Sequence, residues 1–144
     1  MKYLLIICAL FSYLIGIAVS APKKSSVMEL LEGRHWILDA DVIQSMGDGT
    51  DVVLIEIAED KSLINYLRFR ALEALSLFPT EKSALFLENV AKNEFATLAR
   101  RGFEALDRSF AKTQPDRVKQ LAEHLLSHNN AQVRISAARF IRSV

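Results

Sequence analysis

From Leu63 onward the apolar residues recur at helical spacing. Leu67, Ala71, Ala74, Leu75 and Phe78 fall on one stripe, and Pro79 ends that segment. A second helix is predicted from Thr80 to Ala91, with Lys92-Asn93 as the turn. Leu98, Gly102, Ala105 and Leu106 mark a third, running from about Glu94 to Phe110. Gln114-Pro115 opens a fourth, with proline at the first helical position, where a missing N–H costs nothing. Val118, Leu121, Ala122, Leu125 and Leu126 supply its i, i+3, i+4, i+7, i+8 stripe. Ser127 to Asn130 form a turn, and Ala131 to Ser143 a last helix with Val133, Ala137, Phe140 and Ile141 facing inward. Nothing after Leu63 alternates with a period of two, so the predicted fold is all-α.

Upstream the pattern is less regular. Pro22 to Ser25 reads as a linker, and Ser26-Val27-Met28-Glu29 as a capping box that starts a helix running to about Glu32, where Gly33 stops it. Arg34 to Leu38 form a connector tucked against the core through Trp36. Asp39 is an expected N-cap for a short helix ending near Met46, and Gly47-Asp48-Gly49 a turn. Val52 to Ile57 is short and β-branched enough to be a buried strand. Its continuation into Ala58-Glu59-Asp60 favours a helix from about Thr50 to Asp60.

The first residues have a different character. Lys2 precedes an apolar run from Leu4 to Val19, broken only by Ser12, Tyr13 and Gly16, and Val19-Ser20-Ala21 ends it before the polar Pro22-Lys23-Lys24. That is the three-part layout of a secretory signal peptide, residues 1–21. The competing reading is an uncleaved anchor, but such a run rises only about 24 Å as a helix, short of the roughly 30 Å hydrocarbon core. Lipidation at Cys8 is a weaker third reading, because Ile7 stands where a small residue is needed. The domain organisation expected is a signal peptide over 1–21, a linker and helical cap over 22–49, and a repeat domain over 50–144.

Composition narrows the chemistry. Of 144 residues, 18 are Lys or Arg and 17 are Asp or Glu. Without the leader the two signs balance, which excludes wholesale attraction to nucleic acid. The one cysteine, Cys8, lies in the leader, so the mature chain has no disulfide, thiolate metal site or cysteine nucleophile. Export without mature cysteines suits a periplasmic or secreted bacterial protein.

Three helices can be laid over one another. Leu67-Arg68-Phe69-Arg70-Ala71-Leu72-Glu73-Ala74-Leu75 matches Leu98-Ala99-Arg100-Arg101-Gly102-Phe103-Glu104-Ala105-Leu106, and both match Val133-Arg134-Ile135-Ser136-Ala137-Ala138-Arg139-Phe140-Ile141, at offsets of 31 and 35 residues. The common pattern is an apolar anchor, a small residue four later (Ala71, Gly102, Ala137) and apolar residues at seven and eight. The small residue permits close helix approach. Ala131 to Ile141 resembles the second helix of the HEAT-like repeat family, and Leu67 to Leu75 is the next best match. The Leu98 copy departs from that family's pattern, with Ala99 in place of the usual arginine and Gly102 in place of the usual alanine. The resemblance spans roughly Thr50 to Val144. It implies a short α-solenoid of about three helix pairs, capped by the N-terminal helices, that binds another protein along the concave surface lined by its second helices.

Counted from the anchor, positions +3, +6 and +10 share a sector and hold Arg70, Glu73 and Leu77; Arg101, Glu104 and Arg108; Ser136, Arg139 and Ser143. One reading is a charged ladder on the concave face that docks an acidic partner. The other is a solvated face with i, i+3 pairs such as Arg70–Glu73 and Arg101–Glu104. Arg68 and Arg134 are expected to bind backbone or a neighbouring repeat. Charge is uneven along the chain: Pro22 to Asp60 carries nine acids and three bases, Lys61 to Val144 eight acids and fourteen bases, a polarity able to orient self-association or steer an anionic partner. His124 and His128 have the spacing of two zinc ligands. Leu125 stands where a metalloprotease has its glutamate, and no third ligand is evident. Asp39, Asp41, Asp48 and Asp51 lack the pattern of a calcium loop, and no phosphate loop or nucleophile elbow occurs. His35-Trp36 is either a surface recognition pair or, more simply, a core-edge tryptophan and its neighbour.

The expectation is therefore an exported, non-catalytic helical-repeat module that binds another protein in the bacterial envelope. No cofactor, metal, nucleic acid or small-molecule substrate is expected, and membrane association only if the leader stays uncleaved. The alternatives are a metal-assisted enzyme using His124, His128 and nearby Glu123, and a purely structural element of an envelope assembly.

Overall fold

A computed structural model of the chain describes residues 20–93 and 95–143. The leader reading falls almost wholly outside them. Among the described residues the regular structure is all helical: α1 Lys24–Leu31, α2 Ala40–Gln44, α3 Thr50–Glu59, α4 Asn65–Leu75, α5 Glu81–Ala91, α6 Ala96–Phe110, α7 Pro115–Leu125 and α8 Ala131–Ser143. None of these is long and apolar enough to cross a membrane. Val52 to Ile57 lies within α3, where Val53, Leu54, Ile55, Ile57 and Ala58 are buried. A helix with apolar residues on most sides is a core helix, and the β-branched run reflects that burial rather than a strand.

The turns follow local chemistry. Asp39 caps α2 by accepting the Val42 N–H at 3.1 Å, and Thr80 caps α5 by accepting the Ser83 N–H at 3.1 Å. Pro115 occupies the first turn of α7. Gly47 and Gly49 have φ of +88° and +82°, so the chain reverses between α2 and α3 through backbone that side chains rarely adopt. A Cβ on Gly49 would also lie 2.7 Å from the Ala21 Cβ.

Two local expectations fail. Ser26 does not cap α1; the helix starts earlier, with Lys23 as its N-cap and no side-chain cap bond. The first turn is held instead by a tertiary tie, Lys24 Nζ to Asp60 Oδ2 at 2.7 Å. That ammonium, with the Ser62 hydroxyl and N–H, holds the Asp60 carboxyl at about 2. Leu126 is 44% exposed rather than core, because α7 ends at Leu125.

Chain neighbours form three helix pairs, α3 with α4, α5 with α6, and α7 with α8. Across pairs, α4 packs on α6 and α6 on α8, α3 packs on α5, and α1 lies on α3 and α4 through the buried Val27 and Leu31. Flanked on both sides, α6 buries a broad stripe: Ala99, Gly102, Phe103, Ala105, Leu106 and Phe110. Its expected anchor, Leu98, is only half-buried, and Ala99 takes the innermost place. The small residue at position +4 is buried in all three copies. At Gly102 the close neighbour is α5, its own pair partner.

Candidate functional site

The second helices α4, α6 and α8 carry the predicted ladder. Most of it is stitched into the protein, in a regular way. Position +3 reaches back to the preceding element each time. Arg70 donates to the Leu31 carbonyl at 2.6 Å and the Gly33 carbonyl at 3.0 Å, with its guanidinium over Trp36 and Tyr66. Arg101 lies over the Phe69 ring of α4 at 4.9 Å, and Ser136 donates to Glu104 of α6 at 3.3 Å. Position +6 reaches forward: Glu73 accepts from Arg108 of α6 at 3.3 Å, and Glu104 accepts from Ser136. The expected pairs Arg70–Glu73 and Arg101–Glu104 do not form, since each arginine is taken by an aromatic ring of the element before it. Glu104 instead pairs with Arg100 at 2.9 Å, an i, i+4 contact.

What this leaves toward solvent is narrower than the sequence suggests. Arg108 keeps about half of its side chain exposed (53%) while touching Glu73. Arg139 is exposed and has no ion pair among the described residues. Glu73, Arg101, Glu104 and Arg108 thus line one small hollow, Arg70 is committed to the end of α1, and Arg108 and Arg139 are exposed.

Asp107 follows in the last turn of α6, half-buried. Burial pushes its carboxyl above the ordinary carboxylate range; Arg108 beside it offsets part of this and Glu104 adds to it. An acid at a helix C-terminus also opposes the helix dipole. A carboxyl raised in the folded state costs stability wherever it must ionise, and the cost disappears once pH falls below its unfolded value. Asp107→Asn is therefore expected to raise the Tm at neutral pH, with the gain shrinking to nothing below about pH 4. Thermal unfolding of both proteins across that range checks it; a constant difference would remove the assignment to ionisation.

At position +1 both arginines bind backbone, one of the two targets expected for them. Arg68 donates to the Ala58 carbonyl at 3.0 Å, and Arg134 to the His128 and Asn129 carbonyls at 2.8 and 2.9 Å. Arg68 thereby satisfies a carbonyl in the last turn of α3, and Arg134 two carbonyls of the turn that joins α7 to α8. The middle copy has Ala99 there and lacks this clamp. Between the first and second pairs lies a cleft of about 580 Å³, with Leu72, Phe86, Val90 and Leu98 as its apolar wall and Lys61, Arg68 and Lys92 among its polar lining. Asn93 at its edge uses its side chain locally, accepting the Phe95 N–H at 2.8 Å. At the equivalent place one pair later, His128 reaches back to the Asn93 carbonyl at 3.2 Å.

That contact bears on the histidine pair. The His128 Nδ1 accepts the Asn130 N–H at 3.0 Å, so its Nε2 carries the proton donated to Asn93. Both ring nitrogens are occupied by backbone. His124 is exposed and lines a shallow hollow with Lys92, Arg117 and Gln120. Among the described residues no group of three or more His, Cys, Asp or Glu is placed to hold a metal ion. Trp36 donates to the Leu30 carbonyl at 2.9 Å and packs on the core edge, while His35 is exposed beside it.

Sequence reasoning passed over Arg117. It joins α7 to α5, forked onto Glu81 at 2.8 and 3.0 Å and bonded also to Glu88. The two carboxylates raise the guanidinium pKa, and the guanidinium in turn lowers that of Glu81. No local spacing signals it, because the partners lie 29 and 36 residues away.

Comparison with protein-family models, with curated proteins and with solved structures gave no match for this chain.

Proposed function

We propose that this chain is an exported, non-catalytic helical-repeat scaffold of the HEAT-like kind, a short α-solenoid that holds another protein in the bacterial envelope against the inner face of its second helices. The observation that carries the reading is the order of packing. Helices α4, α6 and α8 lie side by side in chain order, and the same repeat position reaches back from each to the element before it. Such a row offers a continuous surface rather than an enclosed pocket, and a continuous surface suits an extended protein partner. Arg108 and Arg139 are the outermost cations on it and favour acidic side chains of that partner. The arginines at +3 act as positioning residues that hold the row together.

Two measurements test this reading. Mass spectrometry of the chain recovered from the cell envelope is expected to find its N-terminus at Pro22. A photo-crosslinking residue at position 108 or 139 is expected to capture one discrete partner, while the same residue at Lys119 or Glu123 of α7 captures none. Equal labelling from both faces, or none from the inner face, overturns the scaffold reading. An N-terminus at Met1 overturns the cleaved leader alone.

A further inference from the structure

The repeat itself shows what an exposed side of α8 is built to receive. On α4 and α6, the side facing the following pair is covered. Leu72 and Phe103, both at position +5, are 1% and 2% exposed, and Phe103 meets Phe140 of α8 edge-on at 6.0 Å. Positions +2 and +9 on those helices (Phe69 and Ser76; Arg100 and Asp107) are likewise buried or half-buried. On α8 the same positions are Ile135 and Arg142, both exposed, with Ile135 at 40%. The helix contains three arginines and no acid.

The opposite end of the row has the complementary character. Helix α1 turns Val27 and Leu31 toward α3 and α4, which leaves Glu29 and Glu32 exposed on its outward side. The loop that follows exposes Ile37 at 83%, and Asp39 and Asp41 beyond it are exposed. The α1 end therefore carries four exposed acids against the exposed Lys23 and Arg34, and the α8 end three arginines and no acid, so the net signs are opposite and each end exposes an isoleucine. The split between an acidic 22–60 and a basic 61–144 is the same asymmetry seen along the sequence.

We infer that the occupant of the α8 face is the α1 face of a second copy of this chain, docked head to tail. A contact between two different patches does not close on itself unless the rotation brings the ends together, so it builds rows of copies rather than a symmetric dimer. Opposed charges fix the register and the isoleucines supply the desolvated centre. This inference is independent of what the inner face holds.

Charge exchange tests it. Sedimentation velocity on the chain recovered from the envelope is expected to show species that grow with concentration and dissociate at high salt. Glu29→Arg/Glu32→Arg and Arg142→Glu, each alone, are expected to weaken association by at least about tenfold. Mixing the two variants, or combining all three substitutions in one chain, is expected to restore it. Recovery in the mixture separates docking from misfolding, because two misfolded proteins do not repair each other. A wild-type chain that stays monomeric at every concentration overturns the inference. So does a closed dimer indifferent to these charges, or a mixture that fails to recover.

Discussion

Gly102→Val is expected to cost at least about 3 kcal/mol, enough to leave a small domain largely unfolded at physiological temperature. The reason is where a Cβ at this position lands. It would lie 2.9 Å from the Ala91 nitrogen, 2.9 Å from Val90 Cγ1 and 3.1 Å from the Leu87 carbonyl oxygen. Two of those atoms are backbone of α5, so relief requires the whole helix to move, and α5 is the pair partner against which α6 seats its broad buried stripe. Gly102→Ala separates packing from helix propensity. Alanine gains about 1 kcal/mol over glycine inside a helix, yet its Cβ meets the same backbone, and overpacking of this kind costs about 1–3 kcal/mol. Urea unfolding followed by circular dichroism is expected to place alanine at or below wild type and valine far below it. An alanine variant clearly more stable than wild type would mean that the two helices stand farther apart than the contacts at Gly102 require.

Gly102 also shows where sequence reading succeeds. Its place in the aligned copies identifies a small, buried position, and Ala71 and Ala137 occupy the same place. Periodicity, Pro79, Pro115 and the Gly47–Gly49 turn locate the helices because each is a local signal. Asp39 reads correctly for the same reason, as its cap closes within three residues. The Ser26–Glu29 motif is equally local and misleads. A distant contact, Lys24 with Asp60, holds the first turn of α1 in its place.

The ladder is the harder case. Projection places Arg70, Glu73, Arg101, Glu104, Arg108 and Arg139 on one face, and it cannot say which neighbour each side chain meets. Spacing alone proposes Arg70–Glu73, since residues three apart on a helix are neighbours. The fold offers Arg70 two carbonyls and two aromatic rings, and Glu73 receives Arg108 from the next pair. The carbonyl partners are 39 and 37 residues away, beyond the reach of any helical periodicity. Arg117 is hidden for the same reason. The arginines at position +1 are legible because the first and third copies share them at the position where the resembled family has its arginine, and their targets lie within the same pair.

Arg70→Ala is expected to release the N-terminal cap while leaving the later helix pairs folded. The guanidinium stands 5.1 Å from the centre of Trp36 and 4.7 Å from that of Tyr66, and its two bonds serve carbonyls at the C-terminal end of α1, beside the Leu30 carbonyl taken by Trp36. Leu31 is fully buried, so its carbonyl loses a charged donor where water cannot readily replace it. The combined loss is about 2–4 kcal/mol, concentrated in one segment. Hydrogen exchange is expected to show residues 24–46 losing protection and α5 to α8 keeping theirs, the pattern of a local opening. Trp36, the only tryptophan, reports the same event as a red shift in fluorescence. Arg70→Lys is expected to recover little, because an ammonium cannot fork onto two carbonyls and lie flat between two rings. If the alanine variant keeps its cap and its tryptophan spectrum, the guanidinium is not what holds α1 down. Arg70 then returns to the docking face as a cation free to meet a partner.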